Sequence, residues 1–233
     1  MITCAVVVPS PPLLVPDLVP GAVERGAAVR DATVAAARTL AGAGRRWVAV
    51  GVADRRQTVQ PGTRGGFGGF GVDVPVALSE SARESEPTLP LAALVAGWLR
   101  EQAGAQSVRV ELVASHAEVA ECVALGEQLA EADEDGLLVV GDGSTRHPAA
   151  PPGWPDDRAE GFDAAVRSAL SDADCEALLS IDAALAGELQ AAGRAAWQVL
   201  AAFARASGDW RGELLYSAAP FGVAYHVAEW TRQ

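Results

Sequence analysis

The stretch Leu137-Leu138-Val139-Val140-Gly141-Asp142-Gly143-Ser144-Thr145-Arg146-His147-Pro148-Ala149-Ala150-Pro151-Pro152-Gly153-Trp154 decides the fold class. Leu137 to Val140 is a short unbroken aliphatic run. Such a run suits a strand buried on both faces, as at the centre of a helix-covered sheet. The chemistry then changes within one residue. Gly141 to His147 carries an acid, two hydroxyls, a guanidinium and an imidazole. Open α/β sheets bind ligands just outside the carboxyl ends of their strands, so this loop is the leading candidate site. Its glycines, Gly141 and Gly143, are expected at positive φ, where glycine carries no steric cost.

Outward from that stretch, the chain alternates strand and helix patterns. Thr3 to Val8 reads as a buried strand ended by Pro9, and Trp47 to Val52 as a second. Pro9 to Pro16 holds four prolines in eight residues, which fixes an extended, rigid path. Residues 22–43 and 89–103 have helical patterns, the latter with a stripe through Leu91, Leu94, Val95, Trp98 and Leu99. Val108 to Ala114 alternates apolar residues with Arg109 and Glu111, as a strand does. Ser115-His116-Ala117-Glu118 has the capping-box pattern and opens a helix to about residue 132. Residues 157–206 hold three or four helices. Leu214 to Ser217 and Val223 to Ala228 close the chain as strands. Residues 53–71 read as a long glycine-rich loop, 72–76 as a strand and 79–88 as a polar linker. Gly66, Gly68 and Gly71 match G-x-G-x-x-G but lack the strand before and helix after that a nucleotide loop needs. The prediction is an α/β chain with one three-layer α/β/α domain over residues 1–233, its central mixed sheet covered by helices on both faces.

Composition narrows the function. At 233 residues the chain is long enough for a substantial core. Net charge is −12, and all 18 bases are Arg. An acidic chain is a poor partner for nucleic acid or an anionic membrane. No apolar run spans a bilayer, and Met1 to Val8 is too short and uncharged for a signal peptide. Cys4, Cys122 and Cys175 lack metal-type spacing and suit a reducing cytoplasm. A homo-oligomer is left open.

Three stretches resemble the LigB superfamily, the class III extradiol dioxygenase catalytic-subunit fold with its Memo-like relatives. Val8 to Pro16 resembles the family's opening Pro-His-Pro-Pro-Leu. Gly141-Asp142-Gly143-Ser144-Thr145-Arg146 resembles Gly-Asp-x-Ser-His-Arg, followed as in the family by a Pro-rich loop, Gly161-Phe162-Asp163 and Ala177 to Asp182. Pro220-Phe221-Gly222-Val223-Ala224-Tyr225 resembles the closing Pro-Phe-Gly-Val-Gly-Tyr. The resemblance implies a LigB-like fold over nearly the whole chain. In active members it implies Fe(II), or another divalent metal, held by two His and one Glu with positions open for O₂ and substrate. On that comparison Ser10 stands where the first His belongs. Gly51 to Asp54 holds no second His, and Tyr216 to Ala219 holds no Glu. Thr145 replaces the acid–base His. A hydroxyl is a poor proton shuttle near neutral pH.

The resemblance therefore implies a degenerate member without a metal cofactor, binding a small anionic or aromatic molecule or a protein. The alternative is an active metal-dependent ring-cleavage dioxygenase or hydrolase, with Fe(II) or another divalent ion on rearranged ligands such as Asp54, Asp142 and His147. A metal-free enzyme would use Asp142 and His147 as an acid–base pair. The candidate catalytic residues are Asp142, Thr145 and His147. The candidate ligand-binding residues are Ser10, Pro11, Asp54, Arg55, Ser144 and Arg146, and no metal ligand is assigned. Each has a plainer reading: Asp142 bonding its own turn, His147 solvated, His226 a satisfied strand histidine, Arg55 and Arg56 solvated beside Asp54. Arg55, Arg56, Arg64 and Arg146 together predict a basic mouth, with Arg146 as the clamp for a carboxylate or phosphate.

Overall fold

In the computed structural model, which describes residues 1–22 and 24–233, two helical layers sandwich a central sheet. β1 (Cys4–Val8) is buried at every position. Short 3-10 turns carry the Pro-rich segment to α1 (Ala27–Ala43). The helix predicted from residue 22 starts later, after a 3-10 turn at Pro20–Ala22; residue 23, inside that prediction, lies outside the described residues. β2 (Arg46–Ala53) follows. The loop predicted over 53–71 is mostly regular: it holds β3 (Gln57–Val59), β4 (Thr63–Gly66) and a 3-10 turn at Phe67–Phe70 with Phe67 buried. β5 (Pro75–Ala77) and β6 (Glu84–Ser85) flank β4 in a small second sheet, so the expected linker 79–88 contains a strand. Glycine hides these strands from the pattern yet permits them. A Cβ at Gly65 would stand 2.7 Å from the Glu86 carbonyl oxygen.

α2 (Leu91–Ala103), β7 (Ser107–Ala114), α3 (Val119–Ala130) and β8 (Gly136–Val140) come next. The capping box lies one turn later than predicted. Glu118 is the N-cap, and its N–H donates to Glu121 Oε2 at 2.9 Å. Ser115 to Ala117 is spent turning the chain: Ser115 N–H reaches the Ala53 carbonyl and Ala117 N–H the Ala114 carbonyl. α4 (Arg158–Asp172), α5 (Cys175–Leu179), α6 (Ala183–Glu188) and α7 (Arg194–Ser207) precede the hairpin of β9 (Trp210–Ala218) and β10 (Tyr225–Arg232). Among the described residues, no helix is long and apolar enough to cross a membrane.

The seven-stranded sheet has the order β3-β7-β2-β8-β1-β10-β9. β7, β2, β8 and β1 run parallel, β3 and β10 run against their neighbours, and β9 runs against β10. The sheet is therefore mixed, as predicted. Alternation along β1 feeds two cores. Cys4, Val6 and Val8 pack beneath α1 and α2, while Ala5 and Val7 pack against α3, α4 and α7. Each such Val contributes about 1.5–3 kcal/mol by burial. This topology places the site. The parallel strands all end at one edge, where β9 also ends and β10 begins. The 219–224 turn thus meets the loop after β8.

Candidate functional site at the carboxyl edge

Asp142 follows the end of β8, and Ser10 follows the neighbouring β1. The Ser10 N–H donates to Asp142 Oδ1 at 2.8 Å, and the Ser10 hydroxyl donates to Oδ2 at 2.7 Å. Asp142 is therefore not bonding its own turn. It bridges two strand ends that are far apart in sequence. Its carbonyl accepts from the Gly193 N–H at 2.7 Å, which fixes the loop against the start of α7. Burial pushes the Asp142 carboxyl above the ordinary range; the two Ser10 bonds pull only partly against it. The same Asp142 charge raises the buried Tyr225 phenol, after the larger effect of its own burial.

The raised carboxyl has a consequence for stability. The unfolded Asp titrates near 3.8, and the folded one titrates higher. As pH rises through that interval the unfolded chain loses its proton first, so Asp142 removes stability across the window. Asp142→Asn keeps an acceptor for the Ser10 N–H, and the Ser10 hydroxyl can rotate to accept from the new amide. The expected result is a flatter stability profile between acidic and neutral pH, with no loss at neutral pH. Urea denaturation across that range checks it. A variant with the parent's slope would show that Asp142 titrates normally.

The second constellation centres on Asp163 of α4, which is 5% exposed. His147 Nε2 lies 2.8 Å from Asp163 Oδ2, and His226 Nε2 lies 3.2 Å from Oδ1. The Ser144 N–H also points at both oxygens, 3.2 Å from each. His226 is 1% exposed, and its Nδ1 is 3.0 Å from Ser217 Oγ. With Asp163 as the carboxylate, both Nε2 atoms donate and His226 Nδ1 accepts from Ser217. One acid on α4 thus ties the loop after β8 to the start of β10. The turn adds to the tie: His147 N–H reaches the Gly222 carbonyl, and residues 143 and 144 exchange backbone bonds with Ala224.

Several expectations are corrected by this geometry. His147 is not solvated, and its carboxylate partner is Asp163, not Asp142. The Asp142–His147 acid–base pair is therefore not formed, because the two side chains bond to different elements. Ser144 is fully buried, and its hydroxyl donates to the Leu189 carbonyl, a packing role. Thr145 Oγ1 donates to Gln190 Oε1 at 2.9 Å. Pro11 is buried, and its carbonyl closes the following 3-10 turn by accepting from the Leu14 N–H. Asp54, Arg55, Arg56 and Arg64 are exposed. Arg55 and Asp54 line a separate cleft beyond β2, with Gln57, Thr88 and Pro90. They do not join Ser10 and Asp142. Arg146 does stand at the edge, with its guanidinium 5.2 Å from the centre of the Trp154 ring. Neither Gly141 nor Gly143 has positive φ. Both are needed for close approach. A Cβ on Gly141 would lie 2.5 Å from Gly193 Cα, and one on Gly143 would lie 2.3 Å from Asp163 Oδ1.

The central role of Asp163 is missed by sequence reasoning, although a signal exists. On α4 the buried positions are Ala159, Asp163, Val166, Ala169 and Leu170. An acid in that apolar stripe has helical spacing toward the core and needs a buried partner. Arg25 is also missed. Its guanidinium lies 4.7 Å from the centre of the Phe221 ring, on the turn that meets the site.

The donor set does not fit the two-histidine, one-carboxylate metal centre that the resemblance implies. His147 and His226 direct Nε2 at Asp163, and the second nitrogen of His226 is taken by Ser217. Asp142 has both oxygens engaged by Ser10. Among the described residues, no three His, Cys, Asp or Glu side chains are arranged to hold an ion.

No family profile and no curated protein matches the chain. Among solved structures, the crystal structure of the uncharacterized protein JW3007 from Escherichia coli K12 is similar, with a TM-score of 0.55 and 12% identity over 98% of this chain and 99% of that one. At that identity the likeness concerns the fold alone.

Proposed function

We propose that the chain is a LigB-like protein of the extradiol dioxygenase superfamily whose carboxyl-edge site binds a small anionic molecule in place of ring-cleavage chemistry. The observation that carries this reading is the Ser10–Asp142 bridge. It occupies the junction of β1 and β8, where the resemblance puts the first metal-binding histidine, and it uses both carboxylate oxygens. Asp163 meanwhile consumes the two histidines. What is left for a ligand is cationic. Arg146 is held over Trp154, and Arg25 over Phe221, on the two segments that meet at the edge. Asp142, four residues before Arg146, is engaged by Ser10, and Asp156, whose N–H donates to the Arg146 carbonyl at 2.9 Å, is another acid that could compete for Arg146. It is held down to about 2 first by its bonds to Arg158, and Arg146 contributes least. The Arg146 charge is therefore available to a carboxylate or phosphate, and Trp154, 47% exposed, offers a flat apolar wall beside it.

Calorimetric screening of small carboxylates and phosphates against the parent and Arg146→Ala tests the reading. Loss of a charge-assisted contact costs about 1.5–3 kcal/mol, so Arg146→Ala should weaken anionic hits by about tenfold or more. Hits that are neutral or cationic, or that bind Arg146→Ala unchanged, would refute it.

A further inference from the structure

Two strand edges border an open cleft on the β3 side of the large sheet, with β7 and β2 between β3 and β8. β3 ends the large sheet and pairs with β7 alone, while β6 ends the small sheet and pairs with β4 alone. The cleft between them measures about 370 Å³. It is lined by consecutive residues, 57–60 on one side and 84–86 on the other. Successive strand side chains point to opposite faces, so a cleft on a strand's face is lined by alternate residues. Consecutive lining means that the strand edges themselves border this cleft. The hydrogen bonds of β6 agree. The N–H groups of Glu84 and Glu86 turn toward β4, reaching the Gly62 and Arg64 carbonyls. By the alternation of a parallel ladder, the Ser85 N–H and C=O turn the opposite way, toward the cleft.

Exposed backbone edges of this kind recruit an extended segment, which adds as a strand. Charge selects which segment. Glu84 and Glu86 are exposed on the cleft wall, opposed there by Arg55 alone. Glu86 is held ionised by the hydroxyl and N–H of Thr88, which lower its carboxyl below the usual range. A second copy of this chain would bring the same acids and a net charge of −12. We infer that this slot takes an extended, lysine- or arginine-bearing segment of a partner protein, paired between β3 and β6.

The test uses the whole chain and an acetylated, amidated peptide of alternating lysine and valine. Hydrogen–deuterium exchange should show new protection confined to residues 57–60 and 84–86. A peptide of equal charge with proline at alternate positions lacks the N–H groups for pairing and should give none. In fluorescence anisotropy, Glu84→Lys combined with Glu86→Lys changes two exposed side chains and should weaken the basic peptide by about tenfold or more. The inference is overturned if the proline peptide protects equally, if protection falls elsewhere, or if the double variant binds unchanged. Dimerisation that protects the same residues without peptide would also overturn it, by assigning the slot to a second copy.

Discussion

Asp163→Ala is expected to cost about 3–5 kcal/mol of folding stability, the range for removing one partner of a buried charged network. The variant leaves His147, His226 and the Ser144 N–H facing an apolar methyl, with His226 almost wholly buried. Each orphaned donor carries a desolvation penalty of about 1–3 kcal/mol. Native domains of this size are stable by only about 5–15 kcal/mol, so the loss is a large share of the total. Asp163→Asn retains one acceptor and should fall between the parent and alanine. Urea denaturation near neutral pH measures all three. A loss below about 1 kcal/mol for Asp163→Ala would show that the histidines find water or other partners, since ordinary surface changes stay within that range.

Gly143→Val is the second large effect. An added Cβ lies 2.3 Å from Asp163 Oδ1 and 2.8 Å from Ala224 Cβ, and the Ala224 carbonyl oxygen is 3.1 Å away. Two of these neighbours cannot retreat, because Gly143 and Ser144 are bonded to Ala224 by backbone on both sides. Overpacking of this kind costs about 1–3 kcal/mol, and displacing Asp163 adds part of the penalty above. Gly161 of α4 is the control: nothing lies within 4 Å of its would-be Cβ. Gly161→Ala should stabilise by about 0.5–1 kcal/mol, as alanine does in an open helix interior. Equal effects at the two positions in thermal denaturation would contradict the close-approach account.

Much of the fold was legible where hydrophobic periodicity is strong. β1, β2 and β8 are continuous apolar runs because both faces are covered, and α2 shows its stripe for the same reason. The small sheet was not legible. β4 is Thr-Arg-Gly-Gly, and its strand state comes from tertiary pairing with β5 and β6. Glycine there is required by the approach of another backbone, which no single-sequence pattern records. The site was half legible. The loop after β8 stands out as a candidate because its chemistry changes abruptly, and Ser10 and Asp142 meet there. The partnership of His147 is not legible from local pattern because its acid lies sixteen residues away, in the buried stripe of α4. The requirement for Gly141 and Gly143 was recognised with the wrong cause. Space, set by Gly193 and Asp163, demands glycine there rather than φ.

The Ser10–Asp142 bridge stands where the resemblance puts the first metal-binding histidine, and Asp163 engages both histidines of this edge, so the proposed reading has no divalent metal there. Anaerobic calorimetric titration of the parent and Asp142→Asn with Fe(II) tests it most directly. The expected result is no saturable one-to-one binding in either protein. Saturable one-to-one binding to the parent that Asp142→Asn abolishes would contradict the claim and identify Asp142 as a ligand.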